Sequence, residues 1–195
     1  MKRNKDYKNI LDFIFEAGML KQMPRSGWFV LGIKNPESVA DHSFRCAVIG
    51  YLLAKLEAAD PYQVMLMTLF GDICEARITD LHKMAQKYIK SKDAEDKAFK
   101  EQIKSMPKEI KLEFFEFHKG YRSQKTLESK IARDADILEC LIQAKEYYEQ
   151  GYSQAKKFMQ KAPKHLITSS GKKLWQLAKD GDSNAWWFKL SQFQR

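Results

Sequence analysis

The 195 residues are 44% hydrophobic and 12% aromatic, enough for one domain with a sizeable core and too apolar for a disordered chain. No apolar run is long enough to cross a bilayer, and "MKRNKDYKNILDF" at the start lacks the apolar stretch and small-residue cleavage site of a secretory signal, so a cytoplasmic address is expected. The net charge of +9 is concentrated late, with nine Lys/Arg against two Asp from Ala155 to Arg195, but no aromatic-and-basic repeat accompanies it; it reads as a solvated surface, and nucleic-acid binding is not expected.

In chain order the punctuation is helical. Tyr7, Ile10, Leu11, Ile14 and Phe15 recur at helical spacing and predict a first helix ending near Gly18 to Lys21. An irregular stretch, "MPRSGWFVLGIKNPES", follows, with a short strand possible at Trp28 to Ile33. Ser38 and Asp41 read as a capping pair opening a helix through about Leu56, and Asp60 with Pro61 opens the next, which carries "MLMTLFGDICEARITDL". After a loop near Thr79 to Asp80, the Lys- and Glu-rich segment to Gly120 holds two or three helices, one running from Pro107 to Gly120. A long helix is expected over roughly Leu127 to Gln150, stopped by Gly151, with shorter pieces broken at Gly171 and Gly181. There is no repeat or low-complexity linker, and one all-α domain spanning 1–195 is the expectation. Cys46, Cys74 and Cys140, an odd count in apolar helical stretches without CxxC, read as reduced thiols.

Three ionisable residues fall on faces that should be buried. His42 shares a helix face with Cys46, Ile49 and Leu53; by itself it reads as a core histidine. Asp72 stands in a segment apolar on nearly every face, where a carboxylate is costly unless paired or metal-bound. Glu75 lies on the same side, and the first following cation, Arg77, points elsewhere. On the long helix, Ala132, Asp136, Cys140 and Ala144 form a row of small residues around one acid, opposite the stripe of Leu127, Ile131, Leu138, Leu141 and Ile142; Asp134 sits nearer that stripe, and composition does not choose between the two acids. One imidazole and two carboxylates suit a divalent transition metal such as manganese, iron or cobalt.

"PRSGW…PESVADH…GDICEARITDL…DAD", with the "LWQL…AWW" tail, resembles the HD-domain metal-dependent phosphohydrolases, specifically their 5′-deoxynucleotidase branch, over most of the chain. The family pattern is a histidine on one helix, a His-Asp pair on the next and a later aspartate. The resemblance implies that His42, Asp72 and Asp136, the second acid of "DAD", are metal ligands. It further implies that Glu75 and Asp80 place or deprotonate the attacking water and guide the phosphate, and that Arg25 and Trp28 meet the substrate phosphate and sugar. A guanidinium suits the first of those tasks, since it can hold phosphate oxygens bidentately. Simple packing is the competing reading of Trp28, as a helix cap is for Asp41 and an exposed role for His82. The implied activity is hydrolysis of deoxynucleoside 5′-monophosphates by a homodimer.

The departure is at Gly71, which stands where the first residue of the His-Asp pair belongs. Glycine in a helix interior costs about 1 kcal/mol relative to alanine, and here it occupies a vacated ligand position. Metal affinity and activity are expected to suffer. The otherwise intact pattern favours recent or deliberate loss, and the alternative is a nucleotide-binding module that does not turn over.

Overall fold

Helices supply the regular structure of residues 2–188 and 190, the part of the chain that the computed structural model describes. They are α1 (Lys2–Gly18), α2 (Val39–Leu56), α3 (Pro61–Leu69), α4 (Glu75–Ile78), α5 (Lys83–Gln86), α6 (Ser91–Gln102), α7 (Lys108–Ser123), α8 (Leu127–Glu149), α9 (Lys156–Lys161), α10 (Ser169–Asp180) and α11 (Ala185–Phe188). Among the described residues no strand forms, and only an isolated bridge joins Pro24 to Ser38. Of the late basic residues, Lys189 and Arg195 lie outside the described part.

The caps fall where the residue types place them. Ser38 Oγ accepts from the Asp41 N–H at 3.1 Å, and the Asp41 carboxylate accepts from the Ser38 N–H at 2.9 Å, a closed capping box that accounts for Asp41. Asp60 caps α3 with Pro61 in the first turn. α8 is the central element: Ile131, Leu138 and Leu141 are buried against Ile49 and Leu53 of α2, Val64 and Met67 of α3, Phe117 of α7 and Trp175 of α10. A second apolar cluster, including Phe13, Leu20, Val39, Ile73 and Phe99, fixes α1 and α6 on the other side of the α2 N-terminus.

Four expectations are corrected. The apolar helix does not run through Met65–Leu81: α3 stops at Leu69, a turn occupies residues 70–74, and α4 restarts at Glu75. Gly71 lies in that turn, where a Cβ would stand 2.9 Å from the Met67 carbonyl oxygen, so any side chain requires the turn to shift. Trp28 to Ile33 is not a strand: residues 28–31 belong to a 3-10 helix over Ser26–Leu31, which Gly32 closes in the left-handed region. α7 continues past Gly120 to Ser123, where Gln124 takes the left-handed stop. Gly171 is inside α10 rather than a break.

The last correction has a cause in Asp134. Its buried carboxylate accepts from the Ile167 N–H, from the Thr168 N–H at 2.7 Å and from the Thr168 hydroxyl at 2.7 Å, tying the start of α10 to α8. A Cβ on Gly171 would come within 3.1 Å of that carboxylate, so glycine allows the close approach. Asp134→Ala leaves buried donors without acceptors and is expected to lower the unfolding free energy by about 3 kcal/mol. Urea unfolding measures this, and a change below about 0.5 kcal/mol would mean that α10 is held by packing alone.

Candidate active site

The beginning of α2, the turn before α4, the middle of α8 and the 3-10 segment after Pro24 converge on one place. His42, only 2% exposed, projects from the first turns of α2 toward α8. Its Nδ1 meets the fully buried carboxylate of Glu139, which leaves Nε2 facing the opposite way. Nε2 lies 3.2 Å from Asp136 Oδ1 and 3.6 Å from Asp72 Oδ2. The three residues of the His-Asp-Asp expectation therefore meet around a single ring nitrogen, and Asp134 is engaged elsewhere.

Glu139 is held in turn. Arg45, one turn beyond His42 on α2, donates its Nε–H to Glu139 at 2.9 Å and reaches Gln143 at 2.6 Å and Glu146 at 2.8 Å. Burial works against the charge on Glu139, but the contacts from His42 and Arg45 outweigh it and keep the carboxyl below its ordinary range. A carboxylate on the far ring nitrogen is the arrangement that fixes the tautomer of a metal-ligating histidine. Burial also opposes a proton on His42; the Asp136 carboxylate beside Nε2 works against it, and the imidazole pKa lies well above its usual value.

Arg25 closes the other side. Its guanidinium is 3.4 Å from Asp72 and 3.9 Å from Asp80 and donates to Cys140 Sγ at 3.3 Å. Asp80 also accepts the Ser26 N–H at 2.8 Å, pinning the loop that carries Arg25. Asp136 accepts from Arg133 at 2.7 Å; burial raises its pKa, yet His42 and Arg133 together bring it below the ordinary carboxylate range.

Glu75 is the exception in this network. Its Oε2 is buried with no hydrogen-bond partner. Desolvation, followed by the charges of Asp72 and Asp80, pushes its pKa well above the usual value. An orphaned carboxylate oxygen beside three converging donors fits a bound cation or a water held by one. The donor chemistry, one imidazole with carboxylates, fits a divalent metal with three protein ligands.

Trp28 does not present its ring to this site. It is 3% exposed, lies against Tyr147 and Phe158 with ring centres 5.2 Å and 5.1 Å away, and donates its indole N–H to Glu37 at 2.9 Å. His82 caps α5 by accepting the Ala85 N–H. Arg77 pairs with Glu16, as its expected direction required.

Glu139, Arg45 and Cys46 escaped sequence reasoning as site residues. A signal existed: His42 and Arg45 are spaced i,i+3, and Asp136, Glu139, Gln143 and Glu146 repeat at i, i+3, i+7 and i+10, matching polar rows on two otherwise apolar helices.

An all-helical fold with a histidine on one helix and two aspartates on later elements around it is the arrangement of the HD domain, and the chain belongs to the HD-domain family, whose profile matches residues 17–175. Within it the chain is similar to the 5'-deoxynucleotidase HDDC2 of Bos taurus, 30% identical over 141 residues, covering 72% of this chain and 68% of that protein. The Dictyostelium discoideum 5'-deoxynucleotidase HDDC2 is 32% identical over 151 residues, covering 73% of this chain and 79% of that one. A solved structure of a conserved hypothetical protein from Pyrococcus furiosus superposes with a TM-score of 0.74 at 34% identity, covering 87% of this chain and 98% of its own. No helix of the described residues is long and apolar enough to cross a membrane.

Proposed function

We propose that this chain is a metal-dependent phosphomonoesterase that converts deoxynucleoside 5′-monophosphates to deoxynucleoside and phosphate, with turnover weakened at Gly71. The observation that carries this reading is His42, buried and anchored through Nδ1 on Glu139, with Asp72 and Asp136 facing its other nitrogen. These three residues would hold the metal, which when bound supplies a lowered pKa for water and charge neutralisation on the phosphoryl oxygens. The names of the curated relatives support the substrate class. Manganese, cobalt and iron suit the donors.

The chain's own residues divide the remaining work. Arg25, fixed between Asp72 and Asp80, is charged and available to take phosphate oxygens. Glu75 orients the attacking water and takes its proton, which its unpartnered oxygen and raised pKa allow. Asp80 acts through the loop, keeping Ser26 and therefore Arg25 in register. The Trp28 ring anchors the same loop from beneath by packing on Tyr147, so its contribution to nucleoside binding is to hold the segment over the site. We further propose one domain over 1–195, a homodimer and a cytoplasmic location.

The test is phosphate release from a panel of deoxynucleoside and ribonucleoside monophosphates, with manganese or cobalt and with chelator. Metal-dependent release that favours the deoxy substrates is expected. Nucleotide binding without release, in the presence of metal, would replace the enzyme with a binding module.

A further inference from the structure

α2 is apolar on both of its sides. Cys46, Ile49, Leu53 and Ala54 face the core, yet Phe44 is 68% exposed, Leu56 65%, Leu52 52%, Val48 45% and Tyr51 44%. A helix that is apolar all round belongs in an interior, and monomers seldom leave a contiguous apolar patch of this kind in water. The core and the metal-site residues occupy the other side of α2, and among the described residues this side is uncovered.

The exposed stripe also has a symmetry. Asp41, Phe44, Val48, Leu52 and Lys55 follow one another on one face at spacings of three, four, four and three. Their order is balanced around Val48. An apolar residue stands four places away on each side, and a charge seven places away, acidic toward the N-terminus and basic toward the C-terminus. Both charged residues are exposed; the Ser38 cap takes Oδ2 of Asp41 without burying it.

Such a face is complementary to itself. In an antiparallel pair about a twofold axis at Val48, residue 48 of one copy meets residue 48 of the other. Phe44 of one copy then lies level with Leu52 and beside Tyr51 of the other, and Asp41 lies level with Lys55 at both ends. The parallel alternative sets Asp41 against Asp41 and Lys55 against Lys55, so charge selects the antiparallel one. We propose that this face of α2 is where two copies of the chain associate, antiparallel and centred on Val48. The apolar middle supplies the affinity, and the ion pairs at the rim set the orientation. The inference rests on the homodimer proposed above and gives it a surface.

Light scattering on the full chain over a dilution series, with Val48→Glu beside it, tests the surface, and cysteine cross-linking tests the register. The parent is expected to be dimeric. Val48→Glu sets two like charges face to face on the axis and should weaken association on the order of 100-fold while keeping the far-ultraviolet helix signal. Under mild oxidation Val48→Cys should form a disulfide-linked dimer. Phe44→Cys alone should not, because the two copies of residue 44 stand about 12 Å apart along the helix axis, beyond disulfide reach. It should cross-link when mixed with Leu52→Cys. The parent, whose Cys46 and Cys74 are buried, is the blank. A dimer that survives Val48→Glu and leaves Val48→Cys unlinked overturns the surface and leaves the homodimer standing. Phe44→Cys linking to itself overturns the antiparallel register. A parent that is monomeric throughout sinks the homodimer and the inference together.

Discussion

Gly71→His is expected to raise metal affinity on the order of 100-fold and to raise metal-dependent phosphate release with it. Loss of groups that merely orient a ligand costs 10–100-fold, so a ligand itself belongs at or beyond the upper end. The same substitution has a structural cost. A Cβ at residue 71 meets the Met67 carbonyl oxygen at 2.9 Å, and backbone, unlike the end of a flexible side chain, does not move aside cheaply. Overpacking of this kind costs about 1–3 kcal/mol. Gly71 is not in the left-handed region, so removing glycine's freedom in the unfolded chain returns about 0.4–1 kcal/mol. Without metal the variant should therefore be less stable than the parent by roughly 1 kcal/mol. With metal at 100 times its dissociation constant the gain is about 2.7 kcal/mol, which outweighs the cost. The difference in melting temperature should change sign on adding manganese or cobalt. Equal metal affinity in the two chains would show that residue 71 does not reach the site, and the vacated-ligand reading would fail.

The fold was largely legible because its helices announce themselves in local chemistry. Ser38 with Asp41, and Asp60 with Pro61, are start signals that depend on neighbours three or fewer residues away. The break at Leu69 was not legible as a break. The apolar run continues on both sides of Gly71, and a single glycine costs too little to stop a helix unless the tertiary setting agrees. The site was half legible. His42 and Asp72 stood out as polar residues on apolar faces, but the choice between Asp134 and Asp136 depended on what opposes each. Asp134 meets the start of α10, more than thirty residues later, a contact no spacing rule reaches. Trp28 shows the same limit, since its partners Tyr147 and Phe158 come from the far end of the chain. Glu139 went unread because the row through Asp136 follows the i,i+4 spacing of Ala132, Cys140 and Ala144, whereas Glu139 lies at i+3 on a polar row whose partner, Arg45, comes from another helix.

Glu75→Gln is expected to lower kcat by about 10²–10⁴ while leaving metal affinity within a few-fold of the parent, because Glu75 is proposed to handle the proton of the water and not to hold the ion. Its two effects on pH run in opposite directions. A carboxyl whose folded pKa lies above its unfolded value binds its proton more tightly in the folded chain. Its stability contribution is then lost as pH rises from the usual carboxylate range through the raised pKa, with Asp72 and Asp80 adding repulsion once Glu75 ionises. The metal-free parent should accordingly lose stability over that interval, and the glutamine variant, which cannot ionise, should lose less. Activity needs the ionised form, so the parent's rate should climb as its stability falls. Urea unfolding and kcat measured from roughly pH 4 to 9 on both chains read the two trends side by side. A glutamine variant that keeps the parent's rate would reduce Glu75 to a buried carboxylate tolerated by the fold. A variant that loses the rate and also flattens the stability profile would tie the cost of the orphaned oxygen to the chemistry it serves.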